Sequence, residues 1–385
     1  MDLRSAMRVP RYRWFLWAAF LAAGLFFFAQ MRFLPGGLRG GAPKGFELLD
    51  SLMRLIRNDY LEERDPVQTA EGAYRGLVNS LDPLSAYLSK NLATKYRALD
   101  GRETEPGIVL LKRYAAFPQV VGIVPGSPAE KAGLKPGEFL SAIEGRNSLS
   151  MSLLEANLLL LGTDERPVEV RVLRGNGTLD LSVARARLLL EPFTFAREAG
   201  RPAILRINRF APDLVSVLRR LVLPALADKR TPLILDLRGS HAGDIDAARG
   251  LVNLFIRTAD AGYFEKRGGI KQALECPAEP ELRGIPLVVW VDAGTIGPAE
   301  LAAGLLQEAG KVKVIGFPTP GLVGRTELFS LKDGTAILLT AGVYHLPSGR
   351  SLWEEGVRPD VPISPEGLND KTFFEKTRPL LPLKF

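Results

Sequence analysis

Three regimes of apolar and polar spacing divide the chain. From Trp14 to Met31 apolar side chains run almost unbroken, and Gln30 is the one clearly polar residue among them. Coiled as a helix at 1.5 Å per residue, this run spans about 27 Å, close to the ~30 Å hydrocarbon thickness of a bilayer. Tyr12, Trp14 and Trp17 sit at one end, where amphipathic rings favour a membrane interface. After a glycine- and proline-rich stretch the period becomes helical. Phe46, Leu49, Met53, Ile56 and Tyr60 recur at three- and four-residue spacing, and Ala73, Leu77 and Leu81 repeat the pattern before Asp82-Pro83 stops it.

Between residues 104 and 188 the period falls to two. Val168, Val170 and Val172 alternate before Asn176-Gly177, and Leu179, Leu181 and Val183 alternate after it, which predicts a hairpin. Short helices are expected around Pro128–Ala132, ending at Gly133, and from near Ser152. Beyond residue 189 apolar strand runs alternate with helical periods. TPLILDLRG suits a buried parallel strand, and Gly243-Asp244 opens a helix carrying Ile245, Ala248, Leu251, Val252 and Phe255. IPLVVWVD repeats the strand, and PAELAAGLLQEAG repeats the helix, with Pro298 first, Glu300 third and Gly310 as its stop. The expected fold is multidomain α+β: a basic tail 1–13, an anchor 14–31, a tether 32–45, a helical segment 46–103, a β-rich module 104–188 and an α/β core 189–385.

Charge and cysteine content narrow the function. The net charge of +7 resembles a nucleic-acid signal until it is located. Arg4, Arg8, Arg11, Arg13, Arg32 and Arg39 face only Asp2 in the first forty residues, and the remainder is nearly balanced. Phosphate neutralisation would need that charge on the folded part, so nucleic acid is not an expected partner. Cys276 is the single cysteine, which excludes an intramolecular disulfide, and His241 and His345 are too few for a multi-histidine metal site. Asp244 and Asp246 could be read as a metal pair, but a helix-start carboxylate interacting with backbone N–H groups explains Asp244 more simply. No metal and no cofactor is expected.

The arginines before residue 14 argue for a cytoplasmic N-terminus and an exported remainder, an argument weakened by Arg32, Arg39 and Lys44 behind the run. A cleaved signal peptide is the competing reading. It calls for a shorter apolar region and a small-x-small site, whereas Phe27 precedes Ala29 here.

GIVPGSPAEKAGLKPGEFLSAIEG resembles the PDZ domain inserted in bacterial processing proteases. The resemblance rests on Gly126-Ser127-Pro128-Ala129, Ala132-Gly133-Leu134, Gly137, Leu140, Ile143 and Gly145. It implies that a C-terminal peptide adds as a strand, its carboxylate held at the loop Gly107-Ile108-Val109-Leu110. Val109 stands where glycine is usual, at backbone angles valine would disfavour, which predicts modest affinity. A ligand-free spacer is the alternative.

The order of anchor, helical segment with SLDPLSAYL, PDZ-like module and LILDLR core, closed by LLTAGVYHLPSGRSLWEEGVRPDVPI, resembles the carboxyl-terminal processing peptidases. The resemblance implies an exported serine peptidase with a serine–lysine dyad on a core like that of crotonase and the Clp peptidase. It also places the chain in a bacterial inner membrane, single-pass, with its bulk periplasmic. The dyad positions depart from the family. In Gly294-Thr295-Ile296-Gly297-Pro298-Ala299-Glu300, Gly297 occupies the nucleophile position; in Thr319-Pro320-Gly321-Leu322-Val323, Leu322 replaces the lysine. Thr326, one helical turn on, stands where a glutamine often supports that lysine. An oxyanion-hole remnant is expected in Ser240-His241-Ala242-Gly243, with the Gly243 N–H as donor.

Acyl transfer needs a nucleophile with a base in reach, and neither glycine nor leucine supplies one. The expectation is an inactive, membrane-anchored pseudopeptidase that binds peptide or protein C-termini. An active peptidase with relocated residues stays open: Ser240 and His241 point to opposite sides of an extended segment, but His345 could pair with Ser240. A non-catalytic subunit of an active paralogous peptidase, or a homodimer, also stays open.

Overall fold

The strand-like runs of the last region lie side by side in the computed structural model, which describes residues 44–188, 191–198, 200–228 and 230–381. The tail 1–13 and the apolar run 14–31 lie outside the described residues, as does most of the tether. No helix among the described residues is long and apolar enough to cross a membrane. The chain divides into two units, residues 1–70 and 71–385.

The first unit holds α1 (Lys44–Asp59), which begins inside the expected tether, and the start of α2 (Pro66–Asn79). Asp65 accepts the Val67 N–H at 2.8 Å, and Pro66 takes the first helical position, where its missing N–H costs nothing. Of the apolar stripe expected on α1, Leu49 and Met53 are half-buried, whereas Ile56 and Tyr60, the latter just past the helix end, are exposed.

In the second unit α2 ends with Val78 and Asn79 buried, while Leu77 and Leu81 are 64% and 61% exposed. The face expected from Ala73, Leu77 and Leu81 is therefore not the packing face. Asn79 accounts for the rotation, because its side chain accepts the Tyr87 N–H at 3.2 Å and donates to the Ser150 carbonyl at 3.3 Å. β1 (Ala86–Leu88) and α3 (Lys90–Arg97) follow. In the SLDPLSAYL segment the Asp82 carboxylate accepts the N–H groups of Leu84 and Ser85 at 2.8 Å each and the Thr340 hydroxyl at 2.9 Å, tying this turn to the core.

The β-rich module is an antiparallel sheet of β2 (Ile108–Leu111), β3 (Gln119–Ile123), β4 (Phe139–Ile143), β5 (Arg146–Asn147), β6 (Val168–Arg174) and β7 (Gly177–Val183). Its order is β2-β3-β4-β6-β7, with β5 beside β4, so β2 has a free edge among the described residues. The helices α4 (Pro128–Lys131) and α5 (Leu153–Leu160) start at Ser127 and Ser152, whose hydroxyls accept the Glu130 and Glu155 N–H groups at 3.3 and 3.0 Å. Arg174 pairs with Gly177, so the β6–β7 loop is Gly175-Asn176, one residue earlier than expected. The positive φ of 57° falls on Gly175, where a two-residue hairpin loop requires it.

The core sheet contains β8 (Phe193–Ala196), β9 (Ala203–Ile207), β10 (Leu233–Asp236), β13 (Leu287–Val291), β14 (Lys313–Gly316) and β17 (Val361–Pro362), in the order β17-β14-β13-β10-β9-β8. All neighbours are parallel except β8. Leu205, Leu235 and Val289 bury one face among α6 (Leu214–Leu221), α7 (Ile245–Asn253) and α8 (Pro298–Glu308); Ile234, Trp290 and Ile315 bury the other with Phe373 of α9 (Asp370–Thr377). Burial on both faces is why these strands read as unbroken apolar runs. A third sheet of β1, β11 (Tyr263–Lys266), β12 (Ile270–Ala273), β15 (Gly324–Ser330) and β16 (Ala336–His345) flanks it.

Two helix ends test the expected signals. Asp244 caps α7, its carboxylate accepting the Asp246 and Ala247 N–H groups at 2.7 and 3.0 Å. No group of three or more His, Cys, Asp or Glu among the described residues could hold a metal ion. At the end of α8 the left-handed residue is Lys311 (φ 56°), not Gly310. Gly310 is needed for space, since a Cβ there would lie 2.7 Å from the Leu306 carbonyl oxygen.

Candidate active site

Three neighbouring parallel strands, β10, β13 and β14, end at the same edge of the core sheet, and the loops that leave them converge there. In open α/β sheets this carboxyl edge is where ligands bind. The β13 loop turns into α8 at Gly297, which has φ 61° and ψ −112°. Such a sharp strand-to-helix turn would hold up a nucleophile, and its backbone angles are ones side chains rarely adopt. A Cβ at Gly297 would meet only the Leu322 carbonyl oxygen, at 3.7 Å. The turn has room for a side chain and carries none.

Buried carboxylates bind the loops together. Glu300 Oε2 accepts the N–H groups of Gly297 and Leu322 at 2.9 and 2.8 Å, and Oε1 accepts the Gly321 N–H and the Thr319 hydroxyl at 2.6 Å each. Thr319 Oγ in turn accepts the Val357 N–H at 2.8 Å. Burial pushes the Glu300 carboxyl above its ordinary pKa, and the four donors oppose that shift by favouring the charged form. Asp292 links the β10 and β13 loops, its Oδ1 accepting the Gly239 and Gly294 N–H groups at 2.9 Å each. Burial raises its pKa as well. Thr295 is fully buried and donates to the Leu237 carbonyl at 2.9 Å.

Leu322 is 4% exposed and belongs to the apolar cluster of the β-rich module, against which Ile296 also packs. Thr326 is not one helical turn from Leu322. The chain is extended there, and Thr326 is exposed on β15 opposite Thr340, beside a bulge. Four residues along a strand cover about 13 Å, more than twice a helical turn.

The relocated candidates do not come together. Ser240 is fully buried, and its hydroxyl has no hydrogen-bond partner among the described residues, while its carbonyl accepts the Ile296 N–H at 2.9 Å. His241 Nδ1 lies 2.9 Å from the Gly239 carbonyl oxygen. His345 does not pair with Ser240: it stacks on Tyr263 with ring centroids 5.0 Å apart, and its Nδ1 lies 3.1 Å from the Gly349 carbonyl oxygen. Gly243 bridges Phe210 in parallel, and a Cβ there would fall 2.3 Å from the Phe210 carbonyl oxygen. The bridge uses the Ala242 carbonyl and the Asp244 N–H, so the Gly243 N–H is left without an acceptor among the described residues.

At the edge of the β-rich module Gly107 has φ 81°, and a Cβ there would collide with Ser127 at 2.4 Å. Ile108, Val109 and Leu110 are buried on β2, with a bulge between Val109 and Leu110. Val109 is not among the positive-φ residues, so the expected backbone strain is absent. Its side chain packs over Gly122 of the facing strand.

Comparison with known proteins agrees with this layout. The model of peptidase family S41 matches residues 201–363, and a PDZ domain model matches residues 119–174. The chain belongs to the carboxyl-terminal processing peptidase family. A probable CtpA-like serine protease of Staphylococcus aureus (strain COL) is 26% identical over 85% of this chain and 66% of its own length. The carboxy-terminal processing protease CtpA of Bacillus subtilis (strain 168) is 27% identical over 82% of this chain and 68% of its own. The chain thus spans just under two thirds of the length of the S. aureus relatives. A solved photosystem II D1 C-terminal processing protease, 23% identical, superposes with a TM-score of 0.70 over 87% of this chain and 90% of its own, a likeness of fold.

The sequence reading places Glu300 at a helix start and Thr319 only as a position matching the family; it misses the bridge between them and passes over Asp292. A signal existed for Asp292, a lone carboxylate closing an apolar strand run as Asp236 closes the earlier one. Nothing local marks Glu300 and Thr319 as partners, because nineteen residues separate them.

Proposed function

We propose that this family member is a membrane-anchored, exported pseudopeptidase whose PDZ domain binds peptide or protein C-termini. One observation carries the reading. The turn that would present the nucleophile ends in Gly297, and the base position holds the buried Leu322, so neither attack nor proton removal has a side chain to perform it. In serine hydrolases the loss of either partner removes roughly four to six orders of magnitude of turnover. The relocated alternative is less well supported, because Ser240 is sealed from solvent and unpaired with either histidine. The free edge of β2 and the open turn at Gly107 support strand addition by a C-terminal peptide. The length and flanking arginines of the run 14–31 support a single-pass anchor in a bacterial inner membrane, with the folded part outside.

The test is labelling of the detergent-solubilised full chain with a serine-directed fluorophosphonate, read by intact mass and peptide mapping. No adduct is expected at any serine. A stoichiometric adduct on Ser240 would overturn the reading in favour of a relocated nucleophile.

A further inference from the structure

The residue at the base position does not sit in the cleft as a neutral filler. Leu322 is buried in one continuous apolar cluster with Ile108 and Leu110 of β2 and with Leu153, Ala156 and Leu160 of α5. Ile296 and Leu84 pack against that cluster from the core and from the helical segment. The PDZ domain and the former catalytic loops therefore share a hydrophobic core, and Leu322 is the buried core residue that crosses between them. Strand addition seats alternate side chains of the added peptide in pockets beside the receiving strand. For an edge at β2, those pockets open onto β2 and α5, two of the elements whose buried residues share the cluster of Leu322.

We infer that Leu322 is the PDZ domain's internal ligand: it fills the apolar pocket of β2 and α5, and a C-terminus binds only when Leu322 withdraws. This rests on the reading that the module takes C-termini. The plug is held from behind, because the Leu322 N–H is bound by the Glu300 carboxylate at 2.8 Å, and the same carboxylate fixes Gly321 and Thr319. Withdrawal therefore moves the whole 319–323 loop and exposes an apolar side chain, so the binding-competent state is the minor one. A ligand's apparent affinity is reduced by the fraction of chain in that state. A lysine at this position, with its charged end, could not serve as such a plug.

The test uses the full chain as wild type, Leu322→Ala and Leu322→Gln, with Leu282→Ala as a control in the core cluster, which holds no residue of β2 or α5. A fluorescein-labelled decapeptide ending in Val-Ala-Ala, as free acid and as amide, is titrated by anisotropy. Hydrogen exchange of β2 and α5 amides is followed without peptide. Both Leu322 variants should bind the free acid about tenfold or more tightly than wild type and exchange faster in β2 and α5, while Leu282→Ala does neither. Measurable binding that is equal or weaker in both Leu322 variants would overturn the plug. If no chain binds the peptide, the C-terminus reading fails instead, and exchange decides the plug alone: faster exchange confined to the Leu322 variants supports it, and unchanged protection refutes it.

Discussion

In the cleft a buried anion is ringed by donors, and in the PDZ domain a buried cation is ringed by acceptors. Glu300 gathers three backbone N–H groups and one hydroxyl from the β13 and β14 loops. Lys112, just past β2 and 3% exposed, donates from Nζ to the carbonyls of Leu149 at 3.0 Å, Arg113 at 3.4 Å and Ala116. Each charge fixes loop backbone beside a candidate site, yet the consequences differ. Peptidase chemistry depends on side chains that the Glu300 clamp does not supply, and the clamp holds its loops around the turn at Gly297 whether or not such side chains are there. Peptide capture, as proposed for the PDZ domain, depends on backbone at a strand edge rather than on any one reactive side chain.

Breaking the anion clamp is the largest perturbation. Glu300→Ala strands four buried donors and should cost about 3–5 kcal/mol of stability, read from urea unfolding. Glu300→Gln should cost less, because its carbonyl oxygen still accepts. A loss below about 1 kcal/mol for the alanine variant would mean the loops are held by packing alone.

The cation clamp offers a smaller effect with a definite sign. Burial lowers the Lys112 pKa to about 8. A lysine depressed in the folded state is penalised while protonated, and the unfolded chain binds the extra proton between about pH 8 and the ordinary lysine value. Stability of wild type relative to Lys112→Met should therefore rise across that window, by on the order of 1–3 kcal/mol. Urea midpoints at pH 7.5 and pH 10 check it, and a difference that shrinks with pH would break the assignment.

Smallest is Val109→Gly. The sequence comparison alone suggests that restoring glycine should tighten peptide binding. The ordinary strand conformation of Val109 and its contact with Gly122 give the opposite expectation: about 1 kcal/mol of lost stability and no gain in affinity for the free-acid decapeptide.

Much of the architecture was legible because the signals are local. Both-face burial writes itself as unbroken runs such as that of β10, hairpin alternation marks β6 and β7, and Ser127, Ser152, Asp244 and Pro298 announce helix starts. Contacts set by tertiary structure were not legible. Asn79 turns α2 away from its apolar stripe by bonding backbone on two other segments, and Lys311 takes the left-handed position that Gly310 appeared to claim. At the site, position by position resemblance assigns Gly297 to the nucleophile position, and the structure adds the sharp turn that Gly297 makes. That Leu322 faces the PDZ domain's apolar cluster, that Thr326 lies out along a strand and that His345 stacks on Tyr263 all depend on how distant segments meet.

The central claim is that the scaffold is intact and its chemistry gone. Its most direct measurement is the hydrolysis of an unstructured protein with an apolar C-terminus by the purified full chain, followed by mass spectrometry over many hours. Fragment release should be no faster than in buffer at any pH from about 5 to about 8, the span over which an unperturbed histidine base would change charge. Fragments that accumulate in proportion to the amount of chain, and that stop when Ser240 is replaced by alanine, would contradict it.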